Sequence, residues 1–429
     1  MSFRLTLLAA CALVLSSRLV AQITTYTWTA TNGSFFNAAN WSGESVPPSS
    51  ASATQLSFGS TLQPNVTLNA NFNANKITFS STAQHYYVGG SGSPTLGIGN
   101  GGIALTGGTS TYVDFSSSLN LSLLDSQAWN TAGNLSVYSN ISAASNYTLT
   151  KTGAGYLALG GSSTYAGGTT ISSGTLYLTS NSTKSGNTIT SGPVGTGNLT
   201  LTSGTTLANL GSSTITLDNP IIASGTVNLG QTTNKAGLIL TGNISGGNVT
   251  APTTLNVVSS ASDESIFYNV VLRGTNTFTG SINATVGGVI LDSAGALPSG
   301  TAIKLGDDGY IGYTENGFAS WSAFQSAITA NRSSSFSGDT IIGIDSANAS
   351  NPRTVSDTIT LSGFGSTVPY LGSATNVTIS GSVVLPSSGT LKLTGVNSGY
   401  LKITSPITAT NNVTAVTIGA SESETGDAS

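Results

Sequence analysis

The sequence predicts an all-β protein, a right-handed parallel β-helix solenoid with an N-terminal cap and one short inserted helix near residues 318–331. Short runs rich in valine, isoleucine, leucine and threonine recur roughly every 8 to 14 residues between about 63 and 270. Glycine, serine or asparagine bounds each run. Even strand spacing also fits a β-sandwich, but internal self-similarity and the scarcity of Asn-Gly and Asp-Gly hairpin turns favour the solenoid.

Composition supports a strand-rich chain. Charged residues are only 7% of the sequence, whereas glycine supplies 53 of 429 residues. The polar surface must therefore consist mainly of hydroxyls and amides, which suit strands and turns better than helix surfaces. Hydrophobic residues are 38% of the chain, which is enough to build a core and argues against a disordered protein.

Residues 1–21 are predicted to be a secretory signal peptide. Arg4 supplies a positive charge, Leu5–Leu15 form an apolar segment, and a cleavage site precedes Gln22. The one cysteine, Cys11, lies in this segment, so the predicted mature chain has no disulfide. Cys11 also ends a sequence that resembles a lipoprotein box, but the apolar segment before Cys11 is too short for a lipoprotein signal peptide. No later run of ~18 apolar residues predicts a membrane span.

Residues 22–62 are predicted to form the N-terminal cap and the first strands. The turn at Asn32-Gly33 and the pair Pro47-Pro48 organise this stretch as hairpin and loop. A terminal cap closes the end of a solenoid core. The alternative interpretation is an aromatic platform that binds carbohydrate. The aromatic residues concerned are Tyr26, Trp28, Phe35, Phe36 and Trp41.

The repeat region is predicted to span residues 63–305, and its clearest unit is residues 149–178. Apolar residues alternate in short strands that glycine turns separate, so one face of each strand should be buried. The residues predicted to point inward are Leu157, Leu159, Ile171, Leu176 and Leu178, and those predicted to point outward are Tyr156, Ala158 and Tyr177. A degenerate second copy spans 274–291. The two copies suggest coils of roughly 20 to 30 residues with irregular loops. At roughly 20 to 25 residues per coil, about 400 residues would make a rod about 80 to 100 Å long.

Four features of this unit match a known family. They are the opening Leu149-Thr150-Lys151-Thr152-Gly153-Ala154-Gly155, the strand Leu157-x-Leu159-x-Gly161, the turn and strand from Thr164 to Ile171, and the close Gly174-Thr175-Leu176. The unit resembles the autotransporter-associated β-strand repeat, also called the passenger-associated transport repeat, of large secreted bacterial surface proteins. The resemblance implies a passenger-type region exported across the envelope of a Gram-negative-like bacterium. It would be secreted or lie on the outer cell surface, with a structural or adhesin-like role.

Residues 306–418 are predicted to continue the solenoid around one helical insertion, and residues 419–429 to form a disordered tail. Within 318–331, apolar side chains recur at intervals of three and four, which predicts an amphipathic helix. These side chains are Phe318, Trp321, Phe324 and Ile328. We expect the helix to pack across the side or the end of the solenoid. The alternative is that it fills a groove for a partner.

Residues suited to catalysis are few. The lone His85, with no cysteine in the predicted mature chain, cannot form a zinc site or a histidine-based triad, and a satisfied surface or loop histidine is the expected role. Polysaccharide hydrolysis uses paired carboxylates, and the adjacent pairs are Asp263-Glu264 and Asp307-Asp308. Adjacent strand residues face opposite ways, so each pair is predicted to lie in a turn. The calcium-binding repeat of some solenoids, Gly-Gly-x-Gly-x-Asp, does not occur, although scattered calcium sites stay open. The sequence therefore predicts no enzyme activity and no catalytic, cofactor-binding or metal-binding residue.

Carboxylates one or two coils apart could still meet on a solenoid flank, because stacked coils lie ~5 Å apart. The candidate sets are Asp292 with Asp307, and Asp339 and Asp345 with Asp357, near Arg332 or Arg353. The alternative function is accordingly a carbohydrate-binding or polysaccharide-degrading β-helix protein. Its stacking platforms would be Tyr86, Tyr87, Tyr310, Tyr313 and Trp321, and they would have to line one exposed groove.

Charge limits the partners. Loss of Arg4 and Arg18 with the signal peptide leaves 10 basic and 16 acidic residues, a net charge of −6. Such a chain has no basic patch for nucleic acid or anionic lipid. The partners that remain are surface glycans or other envelope proteins.

Overall fold

The computed structural model describes residues 22–418 except 60–63, 83, 231–236, 259–268, 333–335, 337–339, 349, 365–367, 386–389, 397–398 and 410–414. The described chain is nearly all β and forms a parallel β-solenoid of about 13 turns with one short α-helix. The predicted fold class is confirmed. At ~4.8 Å per coil, 13 turns make a rod about 60 Å long, shorter than the sequence predicted. The coils are longer than assumed because a hairpin, a helix and loops are inserted into them.

The first strands, up to the clearest repeat unit, have the following bounds, with a 3-10 helix at Ala38–Asn40: β1 Thr24–Trp28, β2 Asn32–Ser34, β3 Ser50–Phe58, β4 Asn65–Leu68, β5 Phe72–Phe79, β6 His85–Gly90, β7 Thr95–Leu105, β8 Tyr112–Phe115, β9 Asn120–Leu123, β10 Gln127–Thr131, β11 Asn134–Val137 and β12 Ile141–Ala143. The next strands are β13 Leu149–Thr152, β14 Tyr156–Leu159, β15 Thr169–Ile171, β16 Thr175–Leu178, β17 Thr183–Ser185, β18 Thr188–Ser191, β19 Leu199–Leu201, β20 Thr206–Asn209, β21 Ile215–Leu217, β22 Ile221–Ala223, β23 Thr226–Leu229, β24 Leu238–Leu240, β25 Ile244–Ser245 and β26 Thr253–Val257.

The remaining elements are β27 Asn269–Leu272, β28 Gly280–Leu291, β29 Ala302–Tyr313, α1 Trp321–Asn331, β30 Ile341–Ile344, β31 Arg353–Val355, β32 Ile359–Thr360, β33 Tyr370–Ser373, β34 Asn376–Ile379, β35 Val383–Leu385, β36 Thr390–Gly395, β37 Tyr400–Ile403, β38 Ile407–Ala409 and β39 Ala415–Ile418.

Two long parallel sheets run along the solenoid. The first has the order β1-β3-β5-β7-β10-β13-β15-β19-β22-β25, with β9 and β12 beside it. The second runs from β2 through β4, β6, β8, β11, β14, β16, β20, β23, β26, β28, β29, β30, β33 and β36 to β39, and β21, β24 and β27 join it at β28. Two three-stranded sheets, β31-β34-β37 and β32-β35-β38, complete the C-terminal coils. Among the described strand pairs, only β17 and β18 are antiparallel.

Coil length varies where segments are inserted. In the first sheet Leu149 pairs with Thr169, 20 residues later, and Thr169 pairs with Leu199, 30 residues later. The longer coil contains the β17–β18 hairpin. Each coil cannot bury its apolar face alone, so stacking on its neighbours creates the core.

The core of the repeat unit follows the predicted alternation. Each of the five residues predicted to point inward is at most 1% exposed: Leu157, Leu159, Ile171, Leu176 and Leu178. Tyr156 and Tyr177 lie on the outer face and are half-buried. Ala158 is the exception among the predicted outward residues, since it is buried. Its small side chain lies in register between Ser136 and Tyr177 of the adjacent coils.

The aromatic residues near the N-terminus pack into the end of the core. Trp28 and Trp41 are buried, with their rings edge to face and centroids 5.1 Å apart. Phe35 is also buried and contacts Trp41 and Phe72. These rings close the first coils and do not form an exposed carbohydrate platform.

The helix α1 packs on the solenoid as predicted. Trp321, Phe324 and Ile328 are fully buried in the main core. The Phe324 ring stacks on Tyr313 of β29 with centroids 4.5 Å apart. The helix therefore covers the side of the solenoid with the apolar stripe that its spacing predicted.

Candidate functional site

The structure locates some of the predicted carboxylates and not others. Asp263-Glu264 and Asp339 lie outside the described residues. Asp307 and Asp308 were predicted to lie in a turn, but both lie within strand β29, so that prediction is wrong. The pairing of β28 with β29 shifts register beside Asp308, which pairs with Val286. Here the long strand passes an irregularity of the β-bulge type instead of ending in a turn.

A column of polar residues lies where strands of the second sheet end. Each residue directly follows its strand. All but Asp218, whose backbone N–H donates to Ser182 Oγ, donate their backbone N–H to the carbonyl that ends the strand one coil earlier, as Asp292 does to Leu272 and Asp345 to Tyr313. We call this set the corner column. Its members, in stacking order, are Asp218, Thr241, Arg273, Asp292, Thr314 and Asp345.

Asp292 is buried and fully engaged within the corner column. Arg273 contacts its Oδ2 through Nε at 2.6 Å and Nη2 at 2.5 Å. Its Oδ1 accepts hydrogen bonds from Thr314 Oγ1 at 2.5 Å and from Asn316 Nδ2 at 3.1 Å. Asp292 therefore links three consecutive coils. A carboxylate with both oxygens occupied this way is suited to structure, because no free lone pair faces a substrate.

Asp345 is also buried, two coils beyond Asp292 in the corner column. The Tyr310 hydroxyl donates to its Oδ2 at 2.5 Å, and the Ala374 backbone N–H donates to its Oδ1 at 2.9 Å. Burial raises the pKa of the Asp345 carboxyl to about 6. Thr314 separates the two aspartates, and the spacing of two coils is ~10 Å. Asp292 and Asp345 consequently have separate partners and do not form a carboxylate pair.

The other candidate residues surround α1. Asp357 Oδ2 accepts a hydrogen bond from the Trp321 backbone N–H at 2.8 Å, which caps the helix. The Arg353 guanidinium lies 4.8 Å above the Tyr313 ring, and its Nε is 3.7 Å from Glu315 Oε2. Arg332 follows the other end of α1. A cavity of about 450 Å³ lies beside Glu315, Arg353 and Asp357.

The five predicted stacking aromatics do not form a groove. Tyr86, Tyr310, Tyr313 and Trp321 are fully buried, whereas Tyr87 is 45% exposed. The platform predicted from those five residues is therefore wrong. The four buried rings instead fill the core or, in the case of Tyr310, a small apolar cluster with Ile290 and Ile341.

A different set of tyrosines lies together on the outer face of the second sheet. Strands β6, β8, β11, β14 and β16 stack there, and their outward positions form two rows parallel to the solenoid axis. One row is His85, Tyr112, Asn134, Tyr156 and Thr175, and the other is Tyr87, Asp114, Ser136, Ala158 and Tyr177. Tyr138 directly follows β11. We call this surface the tyrosine face, defined by Tyr87, Tyr112, Tyr138, Tyr156 and Tyr177 with His85 and Asp114.

Hydrogen bonds order one end of the tyrosine face. His85 Nε2 lies 2.8 Å from Asp114 Oδ2, and Tyr87 Oη lies 3.0 Å from His85 Nδ1. The Tyr87 and His85 rings stack with centroids 4.2 Å apart. His85 is thus a satisfied surface histidine, as predicted, but on a strand. Beside it is an open depression of about 470 Å³ between Tyr87 and Tyr138.

The repeat unit contains one buried cation. Lys151 is fully buried, and its Nζ donates to the carbonyl oxygens of Gly153 and Ser173, both at 2.9 Å. Burial lowers the pKa of the Lys151 ammonium to about 8. Gly153 and Ser173 belong to the turns of successive coils, so Lys151 ties two coils together.

Two negative findings apply to the described residues. No three side chains among their histidines, aspartates and glutamates converge into a group that could hold a metal ion. The single helix they include is too short to cross a membrane.

A known family model matches the segment that contains strands β13 to β16. Residues 149–178 match the family model described as Passenger-associated-transport-repeat. The predicted resemblance is confirmed for this segment. No curated protein and no solved structure matches the chain. The passenger-associated transport repeat occupies consecutive coils inside the solenoid, and repeat and solenoid together fit the passenger region of an autotransporter.

Proposed function

We propose that the protein is an exported, passenger-type β-solenoid that acts through its shape and surface outside the cell, in a structural or adhesin-like role. The observation that carries the proposal is the passenger-associated transport repeat at 149–178 within a continuous parallel solenoid. The predicted signal peptide at 1–21 agrees with it but lies outside the described residues. The site of action would be the medium or the outer surface of a Gram-negative-like bacterium, and its partners would be surface glycans or other envelope proteins.

The proposal includes the absence of catalysis. Its support is that the candidate carboxylates Asp292 and Asp345 are buried and engaged with separate partners. A further candidate, Asp357, accepts a hydrogen bond from a helix N–H. Each of these groups has a structural task that its geometry explains.

Export is tested by sequencing the N-terminus of protein recovered from outside the cells. We expect a chain that begins near Gln22. Protein that keeps Met1, or that is lipidated at Cys11, would overturn the predicted processing.

Catalysis is tested by incubating the purified secreted protein with neutral and acidic polysaccharides. We expect no new reducing ends and no unsaturated uronic products. Product release that is lost in an Asp292→Asn or Asp345→Asn variant would contradict the non-enzymatic part of the proposal. In that case the polysaccharide-degrading alternative would be adopted.

A further inference from the structure

The tyrosine face is unusual within its own sheet. Tyr87, Tyr112 and Tyr138 are 45%, 42% and 43% exposed, and Tyr156 and Tyr177 are half-buried. Later strands of the same sheet carry small polar residues or alanine in line with these rows: Thr206 and Ala208 of β20, Asn228 of β23 and Asn256 of β26. The tyrosines are therefore confined to five consecutive coils. Clustered exposed aromatic surface on a soluble protein marks a binding site more often than chance.

The chemistry of this surface alternates rings with hydrogen-bonding groups. Asp114, Asn134 and Thr175 lie beside the tyrosines in the two rows, whereas Ser136 between them is buried. The outward positions of β6, β8, β11, β14 and β16 hold no lysine or arginine, and no aliphatic side chain larger than alanine. A surface of this kind lacks the methionine and arginine that accompany aromatic residues in protein interfaces, and it lacks the cations of a nucleic-acid or anionic-lipid site.

The arrangement suits a sugar chain. Tyrosine rings offer flat apolar surface with a hydroxyl at one end, which matches the C–H faces and hydroxyl edges of a hexose. The two rows run along the solenoid axis for five coils, a length of about 20 Å at ~4.8 Å per coil. The rise per residue of an extended polysaccharide is similar to this coil spacing, so successive sugars can meet equivalent positions.

We propose that the tyrosine face binds a neutral polysaccharide chain that lies along the solenoid axis. The depression between Tyr87 and Tyr138, which Gly89, Asp114 and Ser116 also line, holds one sugar unit most closely. This proposal rests on the proposed function, because a surface outside the cell is where the protein meets such polymers.

The test is affinity gel electrophoresis of the purified, full secreted protein. The gels contain β-glucan, xylan or mannan as neutral probes, and polygalacturonate as the acidic probe. We expect at least one neutral probe to retard the protein. A variant with Tyr87→Ala and Tyr138→Ala should weaken that retardation about tenfold or more, since tyrosines commonly dominate binding energy. Tyr87→Phe and Tyr138→Phe keep the rings and should retain binding.

A matched control is available on another sheet. Tyr400 of β37 is 46% exposed, so Tyr400→Ala removes a comparable ring away from the tyrosine face. It should bind like the parent protein, and circular dichroism should show that all variants are folded. The proposal is wrong if no neutral probe retards the protein, if only polygalacturonate does, or if the double variant binds unchanged. It is also wrong if the double variant still binds the glycan and has lost only the binding of an envelope protein. Protein found outside cells that binds no glycan overturns this inference alone, whereas protein retained inside cells contradicts the proposed function.

Discussion

At the scale of single residues, Lys151 shows how the solenoid accommodates a charge that has no acidic partner among the described residues. Its Nζ is satisfied by two backbone carbonyl oxygens from successive turns. A buried ammonium without a counter-ion favours its neutral form, which is why its pKa falls to about 8. The lysine therefore contributes hydrogen bonds between coils, but burying its positive charge lowers the stability of the folded protein at any pH where the ammonium is protonated.

This cost predicts a pH-dependent stability. Between pH 8 and 10.5 the folded protein binds fewer protons at Lys151 than the unfolded chain does, so the free energy of unfolding should rise with pH in that window. Relative to Lys151→Met, the parent protein should gain up to about 3 kcal/mol across the window and show no difference in slope below it. Urea unfolding of both proteins from pH 7 to 10.5 measures this. Parallel pH profiles for the two proteins would show that the ammonium is not buried.

The buried face of β16 gives a second prediction at this scale. Leu176 is fully buried, so Leu176→Asp should cost several kcal/mol through an unpaired buried charge. We expect the coils around it to become sensitive to protease. Thr170→Asp is the control, because Thr170 lies between the buried Thr169 and Ile171 and faces outward. A Leu176→Asp protein as protease-resistant as the control would contradict the assigned register.

The residue pattern also shows what sequence alone can predict. Period-2 alternation predicted the inward side chains of 149–178, because burial on one face fixes strand register. The same alternation places Lys151 on the inward face with Leu149, but a lysine gives no sign of burial, because its partners are backbone carbonyls that any sequence provides. Likewise, Ala158 alternates as an outward residue but is buried because neighbouring coils flank it.

At the scale of secondary-structure elements, α1 depends on the coil that follows it. Ser320 Oγ accepts from the Ala323 N–H at 3.2 Å, and Asp357 of a later turn accepts from the Trp321 N–H. The carboxylate also lies at the helix end where a negative charge is favourable. The spacing of apolar residues predicted this helix, but not its cap, because Asp357 is 36 residues away in sequence.

This cap predicts a graded effect of substitution. Asp357→Ala should lower the free energy of unfolding by about 1 kcal/mol, as for the loss of other helix caps. Asp357→Asn keeps an acceptor oxygen and should lose less. Hydrogen exchange at the Trp321 amide should quicken in the alanine variant before other amides do. If the Trp321 amide exchanges as slowly in the alanine variant as in the parent protein, the carboxylate does not cap the helix in solution.

The tyrosine face and the corner column are properties of stacking between elements. His85 pairs with Tyr112 across a 27-residue coil, whereas Ser136 pairs with Ala158 across 22 residues. Because coil lengths differ, sequence distance does not indicate which outward residues meet. The sequence offered Asp307 as a neighbour of Asp292, whereas its observed partners are Arg273 and Thr314. Polar residues far apart in sequence therefore do stack, but sequence distance does not indicate the partner.

At the scale of the whole molecule, the predicted solenoid is confirmed and its predicted length is not. The number of coils depends on how many residues lie in insertions, because inserted residues lengthen a coil without adding a new one. The insertions lack the repeat pattern by which coils can be recognised in the sequence. One region, 149–178, matches a family model. The other coils diverge in sequence while keeping the same stacking, because any alternation of apolar side chains satisfies the core.

The central claim is that this solenoid is presented outside the cell. Antibodies raised against the purified protein can be applied to intact and to permeabilised cells of the bacterium that makes it, with the culture medium analysed in parallel. A cytoplasmic protein serves as the control for cell integrity. We expect labelling of intact cells, or recovery of the protein from the medium, while the cytoplasmic control stays unlabelled. Labelling that appears only after permeabilisation, with no protein in the medium, would contradict the claim.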